Sequence, residues 1–552
     1  MAVMSTESSR PRSSGEERPH SLAVAIERRV HQNPTRRAVA IDEQQLTYEE
    51  LWIRSEARAR QLLALGVRPG KRIGVLLPNC LEYLELIVGA ARIGAVVVPM
   101  NIRFKSRELR HLICDSGMTA LFTRGFIPGV VDFNVLLAES LPGIAAARPD
   151  VPLQLAEAPR LRNVVTLGEP APFMRAEADL ARFDGALPLP PPPEAPLFIM
   201  YTSGTTANPK GCIVPHRAIV SNAWSIIDQW KLSESDSWWC PLPMFHIGGV
   251  VFVMTMLIAN GYYAGVSHFD ADKAIAALEH SPPTIFYSLF PTITLPIIAH
   301  PRFAKLDHSR MRLMCNLAPE QMQRRIQAVV PHAPIVGAFG MTETCGTVCY
   351  GLPDDPADLR FTTCGRPLPG WQVKIVDAAT HDELPVDARG EIAVRGDGLF
   401  QGYLNDPELT ASRHLPDGFF LTGDIGSIDH DGLLSFHGRF KDQLKVGGEN
   451  VAALEVEAFL ATHPAVALAH VVGIRDEKYG EVPAAFIELK PGASATEPEI
   501  IQYCQNRIAR FKVPRHVRFV TEWPMSATKI VKYRLREALE AELLGAPDAR
   551  KG

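Results

Sequence analysis

The nine cysteines of this chain form no CxxC pair and no alternating Cys/His ligand pattern. That argues against a zinc module, and an odd number without a framework reads as reduced thiols in a cytoplasmic protein. An excess of charge is also missing. A formal charge of −4 with 21% charged residues sets up no field that would draw nucleic acid or an acidic membrane surface. Residues 1–20 are rich in Ser, Arg, Glu and Pro, lack an apolar core, and read as a disordered tail instead of a secretory signal. The last residues match no ER, peroxisomal or lipidation address. The most apolar run, residues 247–259, holds only about a dozen residues, short of the ~20 that an integral membrane segment needs. With Pro241 and Pro243 before it and Gly261 after it, that run reads as a buried core helix. No internal repeat is present.

What is there is an ordinary globular balance, with 552 residues and 46% hydrophobic content, enough for more than one domain. RIGVLLP (72–78) and GAVVVP (94–99) read as strands. LEYLELIVGAAR (81–92) between them reads as a helix, and Ser106 reads as the capped start of another. This rhythm predicts an α/β protein with mainly parallel, stacked sheets. The proline-rich stretch 187–196 can continue neither helix nor central strand and reads as a stiff connection inside a large domain. Beyond residue 428 the pattern changes to a hairpin (428–438), a helix (451–460), strands (467–474 and 484–489) and a helix (498–509). That suits a small α+β domain of ~110 residues. The expected division is a tail (1–20), an N-terminal domain (21–438) and a C-terminal domain (439–552), with the boundary at 439–442.

The segment YTSGTTANPKG (201–211) carries the strongest chemistry. It follows an uncharged strand-like run (196–201) and offers Thr202, Ser203, Gly204, Thr205, Thr206 and Lys210. A loop of this kind presents several N–H and O–H donors to a polyphosphate while lysine offsets its charge. A Walker-type kinase loop is disfavoured, because Gly211 and not Ser or Thr follows Lys210. Alone, the loop reads equally as a Ser/Thr-rich turn. Further signals are PMFHIGG (243–249), with Phe245 and His246, and GAFGMTE (337–343), ending in Thr342 and Glu343. LTGDIG (421–426) holds Asp424, GRFKDQLKVGGENV (438–451) gathers basic residues and glycines, and PMSATKIVK (524–532) holds Lys529.

Singly, each has a dull explanation. Glu343 and Asp424 read as solvated turn acids, His246 as a core histidine, and Lys529 is one of 57 basic residues. In this order and spacing they resemble the adenylate-forming (AMP-binding) superfamily: acyl- and aryl-CoA synthetases, luciferases and peptide-synthetase adenylation domains. GEIAVRG (390–396), GYLNDP (402–407) and GIRDEKYGEVP (473–483) are similar to the same family's phrases, so the resemblance spans residues 46–536. It implies a large N-terminal domain, a small mobile C-terminal domain, and activation of a carboxylic acid with ATP as acyl-AMP. CoA synthetases then pass the acyl group to CoA.

By that resemblance, the residues from Thr202 to Lys210 wrap the β- and γ-phosphates. Glu343, with Thr205, holds Mg²⁺, and Thr342 touches the α-phosphate. Phe339 stacks on adenine beside Gly340 and Met341, Asp424 takes the ribose hydroxyls with Arg439 in support, and Lys529 bridges carboxylate and phosphate. Asp442 matches the hinge, with Lys445, Gly447 and Gly448 on the CoA side. Phe245, His246, Asn316, Leu317 and Ala338 line the acyl pocket. Such charge neutralisation is what two reacting anions require.

Departures matter. Ala207 stands where glycine is usual, Phe339 replaces tyrosine, and Thr528 precedes Lys529 without the common intervening glycine. CNLAP (315–319) replaces the family's Gly-Gly-Ala-Pro. The bulk of Asn316 and Leu317 predicts a pocket for an aromatic or compact acid; a Leu317 turned into the core would leave specificity unaffected, and both readings stay open. The favoured function is an ATP-dependent acid–CoA ligase in the cytoplasm. The alternatives are an enzyme loading a carrier protein, a medium- or long-chain fatty acyl-CoA synthetase, a non-catalytic binding protein and a light-emitting oxidase.

Overall fold

The computed structural model of the chain describes residues 18–127, 131–202, 209–440, 443–446, 449–476, 479–505, 507–526 and 529–545. Uncharged β-rich runs become the interior strands of two mainly parallel sheets. One sheet has seven strands in the order Ile335–Val336, Leu313–Asn316, Ile285–Leu289, Ser237–Trp239, Tyr262–Gly265, Arg37–Ile41, Gln44–Thr47. All its pairings are parallel except the last. The other has eight, ordered Gly402–Tyr403, Lys210–Pro215, Pro196–Thr202, Val96–Pro99, Arg72–Leu76, Ala120–Thr123, Asn163–Thr166, Arg175–Ala176. Strands covered on both faces need no alternation, which is why their sequences are continuous apolar runs.

Helices fill the space between. The helix Tyr48–Ala64 starts where Thr47 Oγ1 accepts from the Glu50 amide (3.2 Å) and the Glu50 carboxylate accepts from the Thr47 amide (2.8 Å), a reciprocal cap. It packs closely on Leu81–Ile93, since a Cβ at Gly89 would lie 2.7 Å from the Ser55 carbonyl oxygen. The expected core helix is Ile247–Ala259, buried along nearly its whole length. Among the described residues no helix is long and apolar enough to cross a membrane.

An antiparallel sheet, Trp371–Val376, Gly390–Gly396, Phe420–Ile428 and Leu434–Arg439 in that order, follows. The residues after it have their own apolar cores. Leu444, Val456, Val471 and Ile487 belong to one, and Ile474, Phe486, Leu535 and Leu539 to another. They cover an antiparallel sheet of Glu449–Ala452, Gln443–Val446, Gly480–Leu489 and Val466–Asp476, to which His516–Phe519 adds in parallel.

Two sequence expectations need correction. Ser106 is the first residue of its helix and not its cap; the preceding Lys105 amide donates to the Glu108 carboxylate at 2.8 Å. The helix expected over 498–509 is Glu497–Cys504, and a 3₁₀ turn Arg510–Lys512 follows.

Candidate active site

Thr202 and Lys210 lie opposite each other in an antiparallel pair. Ser203, Gly204, Thr205, Thr206 and Ala207 lie outside the described residues. The two stems are braced from the helix Ser106–Ser116. Tyr201 donates its hydroxyl to Asp115 (2.6 Å), and His111 Nε2 donates to the Pro209 carbonyl (3.0 Å). Burial, then the Asp115 carboxylate, push the Tyr201 hydroxyl pKa up, keeping it a donor.

Glu343 enters this region from the 3₁₀ turn Thr342–Thr344. It is no solvated turn acid, being 7% exposed. Its Oε1 accepts the Tyr403 hydroxyl at 2.9 Å, and its backbone carbonyl accepts from the Phe400 amide, also at 2.9 Å. Tyr403 pairs with Cys212, two residues beyond Lys210, whose Nζ sits 5.9 Å from the Tyr403 ring centre. Lys210, Tyr403 and Glu343 therefore form one charged corner. Burial, then the nearby Glu343 carboxylate, raise the pKa of both the Tyr403 hydroxyl and the Cys212 thiol.

The turn bearing Thr342 and Glu343 is held tightly. A Cβ at Gly340 would lie 1.8 Å from the Gly346 carbonyl oxygen, so only glycine fits. The Met341 amide donates to Thr344 Oγ1 (3.0 Å), and Asn222 Nδ2 donates to the Thr347 carbonyl (2.8 Å). On its other side, Phe339 is buried with its ring 6.1 Å from that of Phe436. Three residues past Phe436, Arg439 meets Asp424 (Nε to Oδ1, 3.1 Å) across paired strands. Asp424 is 3% exposed. Its amide donates to Thr422 Oγ1 (3.1 Å), which itself donates to the Ile392 carbonyl (2.7 Å). The structure thus joins Phe339 to Asp424 and Arg439 through Phe436.

His246 is the residue preceding the buried helix Ile247–Ala259, its carbonyl accepting from the Gly249 (2.9 Å) and Val250 (3.1 Å) amides. Its ring meets that of Phe245 edge-on at 4.8 Å. Asn79 fixes the approach, accepting from the Met244 amide (2.7 Å) and donating to the Leu242 and Val266 carbonyls. Deeper in, Phe252 packs on Tyr287 (4.2 Å), whose hydroxyl meets that of Tyr350 at 3.0 Å. Tyr350 pairs with Ala338. Ala338 is thus the strand partner of this aromatic group, and His246 precedes the helix that carries Phe252.

Asn316 is 1% exposed and donates through Nδ2 to Thr294 Oγ1, which lies 2.6 Å from Ser288 Oγ. Its Oδ1 is buried with no partner among the described residues. Leu317 is 38% exposed and its amide donates to the Leu289 carbonyl (2.7 Å). That placement does not match a Leu317 turned into the core.

Lys529 lies in a two-residue strand, Lys529–Ile530, paired with Met525–Ser526; its side chain is outside the described set. Lys445 is an exposed residue of the strand Gln443–Val446, its amide donating to Glu481 (2.9 Å). Asp442, Gly447 and Gly448 lie outside the described residues. The sequence reading missed Tyr403, Phe436, Asp115 and His111. Only Tyr403 left a signal, as the aromatic of GYLNDP.

The AMP-binding enzyme family model matches residues 26–404, and its C-terminal domain model matches 455–529. The chain is 34% identical over 514 residues to an indoleacetate–CoA ligase of Aromatoleum aromaticum (92% of this chain, 95% of the relative). It is 30% identical over 536 residues to the mitochondrial medium-chain acyl-CoA ligase ACSF2 of Rattus norvegicus (92% and 86%). The crystal structure of the anthranilate CoA ligase AuaEII in complex with anthranoyl-AMP superposes with a TM-score of 0.82 at 25% identity, covering 95% of this chain and 98% of that one. With a family model over most of its length and relatives that are acid–CoA ligases, the chain belongs to the AMP-binding enzyme family, on its ATP-dependent acid–CoA ligase branch.

Proposed function

We propose that the acid activated is aromatic or otherwise compact and apolar. The observation that carries this reading is Asn316, a buried amide standing where the family's motif has glycine, with Leu317 beside it. Relatives acting on indoleacetate and anthranilate support it. The medium-chain relative favours a second reading, a fatty acid of moderate length. Pyrophosphate release measured with benzoate, anthranilate, indole-3-acetate, octanoate and palmitate separates them. A maximum on an aryl acid is expected, and a maximum on palmitate overturns the compact pocket.

In the proposed mechanism a carboxylate oxygen attacks the α-phosphorus of ATP, and the bond to the bridging oxygen breaks to release pyrophosphate. Lys210 and the loop between its stems neutralise the leaving phosphates. Phe339 backs the adenine, and Asp424, held by Arg439, accepts from the ribose hydroxyls. Thr342 reaches the α-phosphate. Lys529 supplies charge between carboxylate and phosphate. The donor set fits Mg²⁺: one buried carboxylate, Glu343, with Thr205 as the second ligand that the family resemblance implies, and no competing cluster of three His, Cys, Asp or Glu among the described residues. Bound there, Mg²⁺ would offset phosphate charge. Tyr403 holds the Glu343 carboxylate in place for it.

In the second half-reaction the CoA thiol attacks the acyl carbon, loses its proton and expels AMP. Rotation about Asp442 would withdraw Lys529 and bring Lys445, Gly447 and Gly448 to the site, where small residues let a thiol approach. His246 and Phe245 gate the acyl pocket. On this reading the N-terminal domain covers 21–438 and the C-terminal domain 439–552. The acceptor is free CoA in the cytoplasm, with a carrier protein as the alternative acceptor and no nucleic-acid partner.

A further inference from the structure

The C-terminal helix Lys532–Gly545 begins three residues after Lys529. Its first residue bonds a buried acid: Lys532 Nζ donates to Glu457 Oε1 at 2.6 Å. Glu457, on the helix Ala453–Leu460, is 4% exposed. The same oxygen accepts the Val471 amide at 2.8 Å, and the other lies 3.6 Å from His470 Nδ1, both residues of the strand Val466–Asp476. One carboxylate therefore ties three elements together.

The rest of the C-terminal helix is docked differently. Leu535 and Leu539 pack on Ile474, Val482 and Phe486 in an apolar cluster that does not involve Glu457. Burying a carboxylate such as Glu457 is costly unless it is well bonded, and a hydrophobic replacement often serves stability as well or better. A buried carboxylate bonded from the edge by a partly exposed lysine, beside an adequate apolar dock, is thus poorly explained by stability. It is well explained by geometry, because a charge-assisted bond fixes direction where apolar packing permits sliding.

We infer that Glu457 and Lys532 are positioning residues for Lys529: this ion pair fixes the start of the C-terminal helix, and so the place from which the adenylating lysine is presented. Three residues span at most about 10 Å, and the intervening backbone is itself constrained. The Val531 amide donates to the Pro524 carbonyl at 2.7 Å, closing the hairpin that holds Lys529. With the hairpin closed on one side and Lys532 anchored on the other, Lys529 has little freedom to drift. A catalytic group misplaced by about 1 Å can cost on the order of a hundredfold in rate.

This inference rests on the adenylating role proposed for Lys529, and the test separates the two. Glu457→Gln and Lys532→Met in the full chain are assayed with whichever of the five acids above gives the highest turnover. Pyrophosphate release reads the first half-reaction; thioester formation from preformed acyl-AMP and CoA reads the second, which does not need Lys529. The expected result is a fall of about tenfold or more in kcat for the first half-reaction, with the KM for ATP and the second half-reaction within about twofold of wild type. Lys532→Arg, which keeps the donor, should restore most of the loss. Equal falls in both half-reactions, a fall confined to the second, or no change in either overturns the inference. If Glu457→Gln does not fold, the partly exposed Lys532 position carries the same comparison. Lys529→Ala runs alongside: if it leaves pyrophosphate release intact, the proposed role of Lys529 fails instead.

Discussion

Tyr403 donates its hydroxyl to the Glu343 carboxylate at 2.9 Å across 60 positions of sequence. The bond fixes the acid proposed to hold Mg²⁺. A hydrogen bond to a charged group contributes about 1.5–3 kcal/mol, enough for roughly tenfold in an equilibrium. Tyr403→Phe should raise the Mg²⁺ concentration needed for half-maximal pyrophosphate release several-fold, leaving thioester formation from preformed acyl-AMP unchanged. Titrating Mg²⁺ at saturating ATP checks this.

Asp424 faces Arg439 at 3.1 Å, on a strand whose Thr422 and Gly423 are both hydrogen-bonded to the neighbouring strand. Its carboxylate can accept from two hydroxyls at once, whereas an amide offers one acceptor oxygen. Asp424→Asn should cut kcat/KM for ATP by about 10- to 100-fold. It should also narrow the preference for ATP over 2′-deoxyATP. Unchanged discrimination between these nucleotides would remove Asp424 from the ribose site.

Gly340 has no room for a methyl group, with the Gly346 carbonyl oxygen 1.8 Å from where its Cβ would be. Gly340→Ala must displace the turn that carries Thr342 and Glu343. Pyrophosphate release should fall by about a hundredfold or more, because Thr342 and Glu343 are the groups proposed to act on the α-phosphate and the metal. Circular dichroism should show the overall secondary structure retained.

His216 predicts an acid sensitivity remote from catalysis. Its Nδ1 accepts from the Leu22 amide at 3.3 Å, and burial lowers its pKa to about 4. The unfolded chain takes up this proton near pH 6.5, before the folded one, so stability is lost as pH falls from there towards 4. From pH 7.5 to 5 the loss is about 2 kcal/mol. Thermal melts across that range should show the decline, and His216→Gln should flatten it.

Legibility from sequence followed the range of the interactions. The helix Ile247–Ala259 and the strand Pro196–Thr202 were readable because their apolar content is local. The antiparallel sheet from Trp371 to Arg439 was mostly not, since its strands mix charged and half-buried residues. Glu343 and Asp424 were found as motif members, yet their burial was invisible. It depends on Tyr403 and Arg439, which only the folded chain brings close. Asn316 was noticed as bulk, but its tie to Thr294 depends on the helix Pro291–Ile298 packing against its strand. Glu457 and Lys532 carried no motif signal that paired them, being 75 positions apart.

The most direct test of the account is product stoichiometry. Purified chain is incubated with the preferred acid of the panel, Mg²⁺-ATP and free CoA, and all products are quantified together. The account predicts AMP, pyrophosphate and acyl-CoA in equal amounts, with none formed when the acid is omitted. ADP and inorganic phosphate as the nucleotide products, or acyl-AMP accumulating without thioester, would contradict it.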